Sequence, residues 1–237
     1  MDKSKSAICT ETQYHDLVNM TAHELKTPVS VLKAYLQIIT KQLYRDNQLS
    51  YMMTLEKMEV QLDKVLHLIS DLQDGVSTDN DDVHCLMNEF DINESVLRCF
   101  DNAVATHPDV TILYETDPSQ PLVTGDRDRI EQVIHNLITN GIKYAGKQQY
   151  LKISSRVVEG EVIIGVTDKG PGIAPDLQEK IFQRFYRIQS DSTTSQSGLG
   201  LGLFICAQII HKHQGRIGVI SSEGMGSEFW FSLPVNK

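Results

Sequence analysis

Cysteine is scarce and scattered. The four in 237 residues, Cys9, Cys85, Cys99 and Cys206, form no C-x-x-C pair. That spacing argues against a disulfide framework and against a zinc site, and reads as reduced thiols. Long apolar runs are missing too. No stretch approaches the roughly 18 consecutive apolar residues of a membrane span, and no apolar N-terminal stretch follows a basic segment in the manner of a secretion signal. The sequence therefore predicts a cytoplasmic chain whose membrane contact, if any, comes through an upstream segment. Basic clusters are the third absence. Against 31 Asp and Glu there are only 22 Lys and Arg, a net charge of -9, and a surface that neutralises nucleic-acid phosphates needs clustered Lys and Arg. No nucleic-acid partner is expected.

What the sequence does have is periodicity. From Val18, apolar residues recur four and three apart through Ala22, Leu25, Val29, Leu32, Leu36, Ile39 and Leu43, the spacing of a heptad seam. After the polar break at 45–48 the spacing restarts at Tyr51 and runs through Leu55, Met58, Leu62, Val65, Ile69 and Leu72. Two such helices joined by a short turn form an antiparallel hairpin. Each carries a narrow stripe that one hairpin buries incompletely, so a homodimeric four-helix bundle is expected, with a different partner on the seam as the alternative. Periodicity lapses from Gly75 to Glu89, around the acidic run Asp79, Asp81 and Asp82, which reads as a solvated connector. The expected division is 1–75, a linker at 76–89, and 90–237.

The third part mixes both periods. Phe90 to Ile92, Val110 to Glu115 and Pro121 to Thr124 read as short strands, and Asn93 to His107 as a helix. Asp126 to Tyr144 reads as a second helix with Ile130, Val133, Ile134, Leu137 and Ile138 on its apolar face. Tyr150 to Val158 and Glu161 to Asp168 form a hairpin at Glu159-Gly160, and a helix from Leu201 to Lys212 precedes a last hairpin, 216–221 and 228–233. The expected class is α plus α/β: a helical hairpin, then an α/β sandwich with a mixed sheet.

Several short segments carry chemistry. His23 lies one residue past the seam position Ala22, so on a helix it faces the flank and meets solvent. Glu24 adjoins it, Thr27 lies a turn further on the same face, and Pro28 interrupts the helix. His23 is then either a functional imidazole or an ordinary exposed residue. A zincin H-E-x-x-H site is excluded because Thr27 stands where the second histidine belongs. Asn136 and Asn140 share a helix face with Lys143 and Tyr144 close behind, a set suited to a metal-bridged polyphosphate or merely to surface and capping roles. Asp168-Lys169-Gly170-Pro171-Gly172 ends a strand, as an acceptor carboxylate beside flexible backbone or as a plain turn. Gly198, Gly200 and Gly202 lead into a helix, where backbone N–H groups can approach phosphate. The nine residues 189–197 contain no apolar side chain and read as a lid or a tolerated surface loop.

In order, these segments resemble the sensor histidine kinases of two-component signalling over nearly the whole chain. His-Glu-Leu-Lys-Thr-Pro at 23–28 is similar to the H box of the dimerisation and phosphoacceptor domain, and Asn136 to Tyr144 to the N box. Asp168 to Gly172 and Gly198 to Gly202 are similar to the two glycine boxes, Phe182 to Phe185 to the F box, and Gly224-Met225-Gly226-Ser227 to the closing segment. The resemblance implies the GHKL or Bergerat ATP-binding fold shared with gyrase and MutL. It implies ATP and Mg²⁺ as cofactors, His23 as phosphoryl acceptor with Glu24 as its proton acceptor, and a response-regulator receiver domain as partner. It further implies that Asn140 binds Mg²⁺, that Asn136, Lys143 and Tyr144 line the phosphates and lid, and that Asp168 accepts from the adenine amino group. Thr27 would orient water for dephosphorylating the regulator. Two departures stand out: Gly141 where alanine is usual, and Ser227 where threonine is common. ATP-hydrolysing relatives carry a glutamate four residues before the metal-binding Asn, where this chain has Asn136; that points to transfer onto protein rather than water.

Overall fold

The computed structural model describes residues 26, 29–41, 55, 59, 62, 65, 66, 69, 86–145, 149–188 and 200–236. The chain divides into two compact units, 1–82 and 83–237.

In the first unit residues 29–41 are helical, as are 55, 59, 62, 65, 66 and 69. The two helical stretches are bridged by Gln37, whose Nε2 donates to Glu59 Oε1 at 3.1 Å. Of the seam residues described, Leu36 and Ile69 are buried, whereas Leu32 is 56% exposed and Ile39 and Val65 are exposed as well. One copy of the hairpin leaves part of its apolar stripe in water.

The second unit runs β1 (Asn88–Asp91), α1 (Ile92–Thr106), β2 (Thr111–Glu115), β3 (Leu122–Gly125), α2 (Arg127–Tyr144), β4 (Tyr150–Val158), β5 (Glu161–Asp168), α3 (Gly202–Lys212), β6 (Arg216–Ser222) and β7 (Gly226–Pro234), with single 3₁₀ turns at Pro175–Leu177 and Lys180–Phe182. Five strands form one mixed sheet in the order β2-β4-β5-β7-β6. β2 and β4 are parallel and the other neighbours antiparallel. β1 and β3 pair separately.

Local chemistry accounts for the boundaries. The Asp91 carboxylate accepts from Asn93 N at 2.9 Å and that of Asp126 from Arg129 N at 3.2 Å, each satisfying an otherwise orphaned donor at a helix start. The β4–β5 hairpin turns on Glu159 (φ 51°) and Gly160 (φ 82°), the left-handed pair that suits a two-residue turn between twisted strands. Period-two alternation puts Leu151, Ile153, Val162, Ile164, Val166, Phe229, Phe231 and Leu233 inside, on the face covered by the apolar stripes of α2 and α3. Gly141 sits where a Cβ would lie 2.3 Å from Leu151 Cδ1, so an alanine there would need Leu151 to swing aside. That close approach gives the first departure a packing reason. Arg127 pairs with Glu94 at 2.7 Å and Arg98 with Glu131, tying α1 to α2.

Two details differ from the sequence reading. Ile92 opens α1 instead of ending a strand, because Asp91 acts as the cap; β1 accordingly starts earlier, at Asn88. The 3₁₀ turns at 175–182 were not foreseen, since three residues are too few to display a helical period.

Candidate functional site

The site lies at one end of the sheet, where the C-terminal half of α2, the end of β5 and the start of α3 converge. Asn136 and Asn140 project from the same face of α2. Asn140 Nδ2 donates to Asn136 Oδ1 at 2.8 Å, and this bond leaves Asn140 Oδ1 as the oxygen of the pair not engaged in it. Gly202, the first residue of α3, faces that pair: a Cβ on it would come within 2.6 Å of Asn136 Nδ2. Only a residue without a side chain lets the helix start approach so closely. The N-cap residue, Leu201, provides no side-chain hydrogen bond, so the first N–H groups of α3 have no side-chain acceptor at the cap. A helix start of this kind is suited to an anion.

Gly200, with φ 71°, stands just before it, and its carbonyl accepts from Phe185 N at 3.0 Å. Phe185 itself has φ 62°, a strained conformation for an aromatic residue, and is 55% exposed. The F-box segment and the second glycine box are thus hydrogen-bonded to one another.

The first glycine box packs against the end of α2. A Cβ on Gly170 would meet the Tyr144 carbonyl oxygen at 2.3 Å, and one on Gly172 (φ 73°) would meet the Ser222 carbonyl oxygen at 2.0 Å. Asp168, only 3% exposed, accepts from Gly170 N at 2.7 Å and from the backbone N–H of Ser227. Burial pushes its carboxyl above the ordinary aspartate range, against the opposing pull of those two hydrogen bonds. Lys143 Nζ lies 5.0 Å from the centre of the Tyr144 ring, a cation–π pair. Lys169 Nζ lies 4.3 Å from that of Tyr150.

The sequence-derived residues therefore separate into three groups. Asn136, Asn140 and Gly202 meet at one corner. Asp168, Gly170, Gly172 and the backbone of Tyr144 form another, with Gly200 held by the F-box segment. His23, Glu24, Thr27, Gly198 and the stretch 189–197 lie outside the described residues.

Sequence reasoning missed two contributors. Ser221 Oγ accepts from Ile173 N at 2.8 Å, and Gln178 Nε2 donates to the carbonyls of Ile173 at 3.0 Å and Ser221 at 2.9 Å. Together they hold the first glycine box against β6. No spacing rule picks out either residue, because the contacts that reach across to β6 join residues 43 and 48 positions apart.

The donor set fits a magnesium nucleotide. Among the described residues no group of three or more His, Cys, Asp or Glu side chains could hold a metal. The Asn140 amide oxygen that stays outside the bond to Asn136 is an oxygen donor of the kind hard divalent cations accept.

A mixed-sheet sandwich with amides on one helix, a glycine-started helix opposite and a buried carboxylate at a strand end is an arrangement suited to a nucleotide. Residues 125–237 match the family described as histidine kinase-, DNA gyrase B- and HSP90-like ATPase, and residues 14–79 match the His kinase A phospho-acceptor domain. The chain belongs to the sensor histidine kinases. It is 29% identical over 227 residues to the sensor protein kinase WalK of Staphylococcus saprophyticus, covering 94% of this chain and 37% of that protein. The chain thus spans little more than a third of the length of such relatives. Among solved structures, the catalytic domain of histidine kinase ThkA aligns at 34% identity and TM-score 0.55, covering 62% of this chain and 95% of that one. The histidine kinase AdeS of Acinetobacter baumannii aligns at 28% identity and TM-score 0.56, covering 91% and 98%. ThkA in complex with the response regulator TrrA aligns at 25% identity and TM-score 0.58, covering 93% and 61%.

Proposed function

We propose that this chain carries out ATP-dependent phosphorylation of its own His23 and passes the phosphoryl group to an aspartate of a response-regulator receiver domain. The observation that carries the reading is the corner where Gly202 opens α3 directly against Asn136 and Asn140. It offers amide groups and a helix start to a polyphosphate, and Asn136 is a carboxamide at the position to which the resemblance assigns a water-activating glutamate in ATP-hydrolysing relatives.

In the transfer step the Nε2 lone pair of His23 attacks the γ-phosphorus in line. An N–P bond forms, the bond to the β,γ-bridging oxygen breaks, and ADP leaves with the electron pair. Glu24 accepts from Nδ1–H, holding the tautomer and taking up the proton. Mg²⁺, when bound, offsets negative charge on the phosphates, and Asn140 would hold it through Oδ1. Asn136, Lys143 and Tyr144 line the phosphates, Gly198, Gly200 and Gly202 give them backbone access, and Gly170 and Gly172 shape the base pocket. Asp168 accepts from the adenine amino group. Thr27 would orient water in a reverse, dephosphorylating reaction on the regulator. The helical unit pairs with a second copy, a reading supported by the exposure of Leu32, Ile39 and Val65, and the linker expected at 76–89, whose last two residues Asn88 and Glu89 belong to β1, leads into the catalytic unit. The reaction places the chain in the cytoplasm, where ATP and response regulators are found.

The deciding experiment uses the purified full chain with γ-labelled ATP. His23→Gln abolishes label incorporation while leaving ATP binding within about twofold; label that persists on this variant defeats the assignment. Mixing His23→Gln with Asn140→Asp protein then distinguishes transfer within a protomer from transfer between protomers.

A further inference from the structure

Register places Asp168 opposite Ser227 on β7, and Ser227 opposite Ser221 on β6. The three residues thus form a polar row across three strands at the nucleotide end of the sheet. Below it on the same faces come Val166 and Phe229, both buried. The hydrogen-bond inventory of Ser221 can be completed. Its Oγ lies 2.8 Å from the Gly226 carbonyl, an acceptor only, so the single hydroxyl proton of Ser221 must go there. The same oxygen accepts from Ile173 N at 2.8 Å and lies 2.9 Å from Ser227 Oγ. With its own proton committed to Gly226, Ser221 can only accept from Ser227. The Ser227 proton is therefore turned toward Ser221, and Ser227 offers only lone pairs to anything bound beside Asp168.

We infer that Ser221 is a positioning residue for base specificity: by holding the Ser227 proton, it makes the corner formed by Asp168 and Ser227 acceptor-only and so selects a purine with a 6-amino group over one with a 6-oxo group. The inference rests on the reading of Asp168 as the adenine acceptor. It also gives the second departure of this sequence a consequence. Serine, lacking the methyl group of threonine, turns more freely about χ1, and the 2.9 Å contact with Ser221 holds the Ser227 oxygen in place. The direction of its hydroxyl proton is set by rotation about Cβ–Oγ, and so by the acceptor that Ser221 offers.

The test measures equilibrium binding of ATP and of inosine triphosphate, which carries a 6-oxo group, to the full chain by calorimetry. Ser221→Ala releases the Ser227 proton to turn toward the ligand. The ratio of inosine triphosphate Kd to ATP Kd is expected to fall by about five- to tenfold, and Ser221→Thr, which keeps the hydroxyl, to restore it. Ser221→Ala also loosens the Ile173 attachment, which weakens both nucleotides alike; a loss of affinity with the ratio unchanged overturns the proposal. On a Ser227→Ala background the ratio should no longer respond to Ser221→Ala, and a response there overturns it equally. The underlying reading has its own readout. If the parent shows no preference for ATP, or keeps it in Asp168→Asn, the adenine assignment of Asp168 fails. If Asp168→Asn removes the preference while Ser221→Ala retains it, only the role of Ser221 fails.

Discussion

The two units of this chain handle their apolar residues in opposite ways. In residues 83–237, Val162, Ile164, Phe231 and Leu233 are closed off between one sheet face and the helices above it, all of them at most 2% exposed. In residues 1–82, Leu32, Tyr35, Ile38, Ile39 and Val65 remain in contact with solvent. A sandwich completes its core from its own two layers. A two-helix hairpin has no second layer, so its stripe stays uncovered until another surface arrives. The difference suits the proposed division of labour. A nucleotide site needs fixed walls, and a signalling helical unit needs an interface. Stability of the first unit should depend on protein concentration, and that of the second should not.

The strongest way to break this contrast is at the core of the second unit. Phe231→Ala removes a fully buried ring and is expected to cost about 3–5 kcal/mol. Urea unfolding of the full chain, followed by circular dichroism, should show the loss equally at low and high protein concentration. The complementary change is Leu32→Glu combined with Ile39→Glu. It is expected to raise the dimer dissociation constant at least about 100-fold, roughly 2.7 kcal/mol, as read by sedimentation equilibrium, with ATP affinity unaltered. A pair of charges that left the chain dimeric would mean that the stripe is not the interface.

At the corner of Asn136, Asn140 and Gly202, proposed above to hold the nucleotide, the contrast sharpens to a single atom. Gly202→Ala places a methyl group 2.6 Å from Asn136 Nδ2, so either Asn136 or α3 must shift. ATP affinity is expected to fall by about tenfold, about 1.4 kcal/mol, in calorimetric titration, with only a small change in Tm. Gly160 in the β4–β5 turn, where a Cβ meets nothing within 4 Å but φ is 82°, serves as the control: alanine there strains the backbone away from Asn136 and the glycine boxes.

How much of this was legible in the sequence follows from the range of the forces involved. The α2 face, the β4–β5 hairpin and the Asn136/Asn140 pair depend on neighbours one to four residues apart, and such spacings are written into the chain directly. The Ile92 boundary was misplaced because one capping carboxylate, Asp91, outweighed the extended look of Phe90-Asp91-Ile92. The Ser221 and Gln178 contacts join residues that topology alone brings together. Asp126 is similar: besides capping α2, its backbone N–H donates to the buried ring of His213 at 2.8 Å, 87 positions away. Gly125 beside it has no room for a Cβ, which would lie 2.6 Å from His213 Cδ2. The sequence offered only a histidine near a helix end.

The finest test concerns what the buried carboxylate of Asp168 costs. Burial raises its pKa in the fold, so the folded-state value lies above the unfolded one. The stability tied to the protonated carboxyl is then fully present below the unfolded pKa and is lost as pH rises through the folded value. Asp168→Asn carries no such charge, and its oxygen can still accept from Gly170 N. At neutral pH the variant is expected to melt above the parent, and the gap should close as pH falls through the raised pKa. ATP affinity should fall in the same protein. Melting curves across pH in the absence of nucleotide give the first quantity and calorimetry the second. A parent more stable than Asp168→Asn at neutral pH would mean that the two backbone N–H groups compensate the buried charge fully. The carboxylate would then be as much a part of the structural frame as Phe231 is, and the contrast between a fixed wall and a functional group would not hold at this residue.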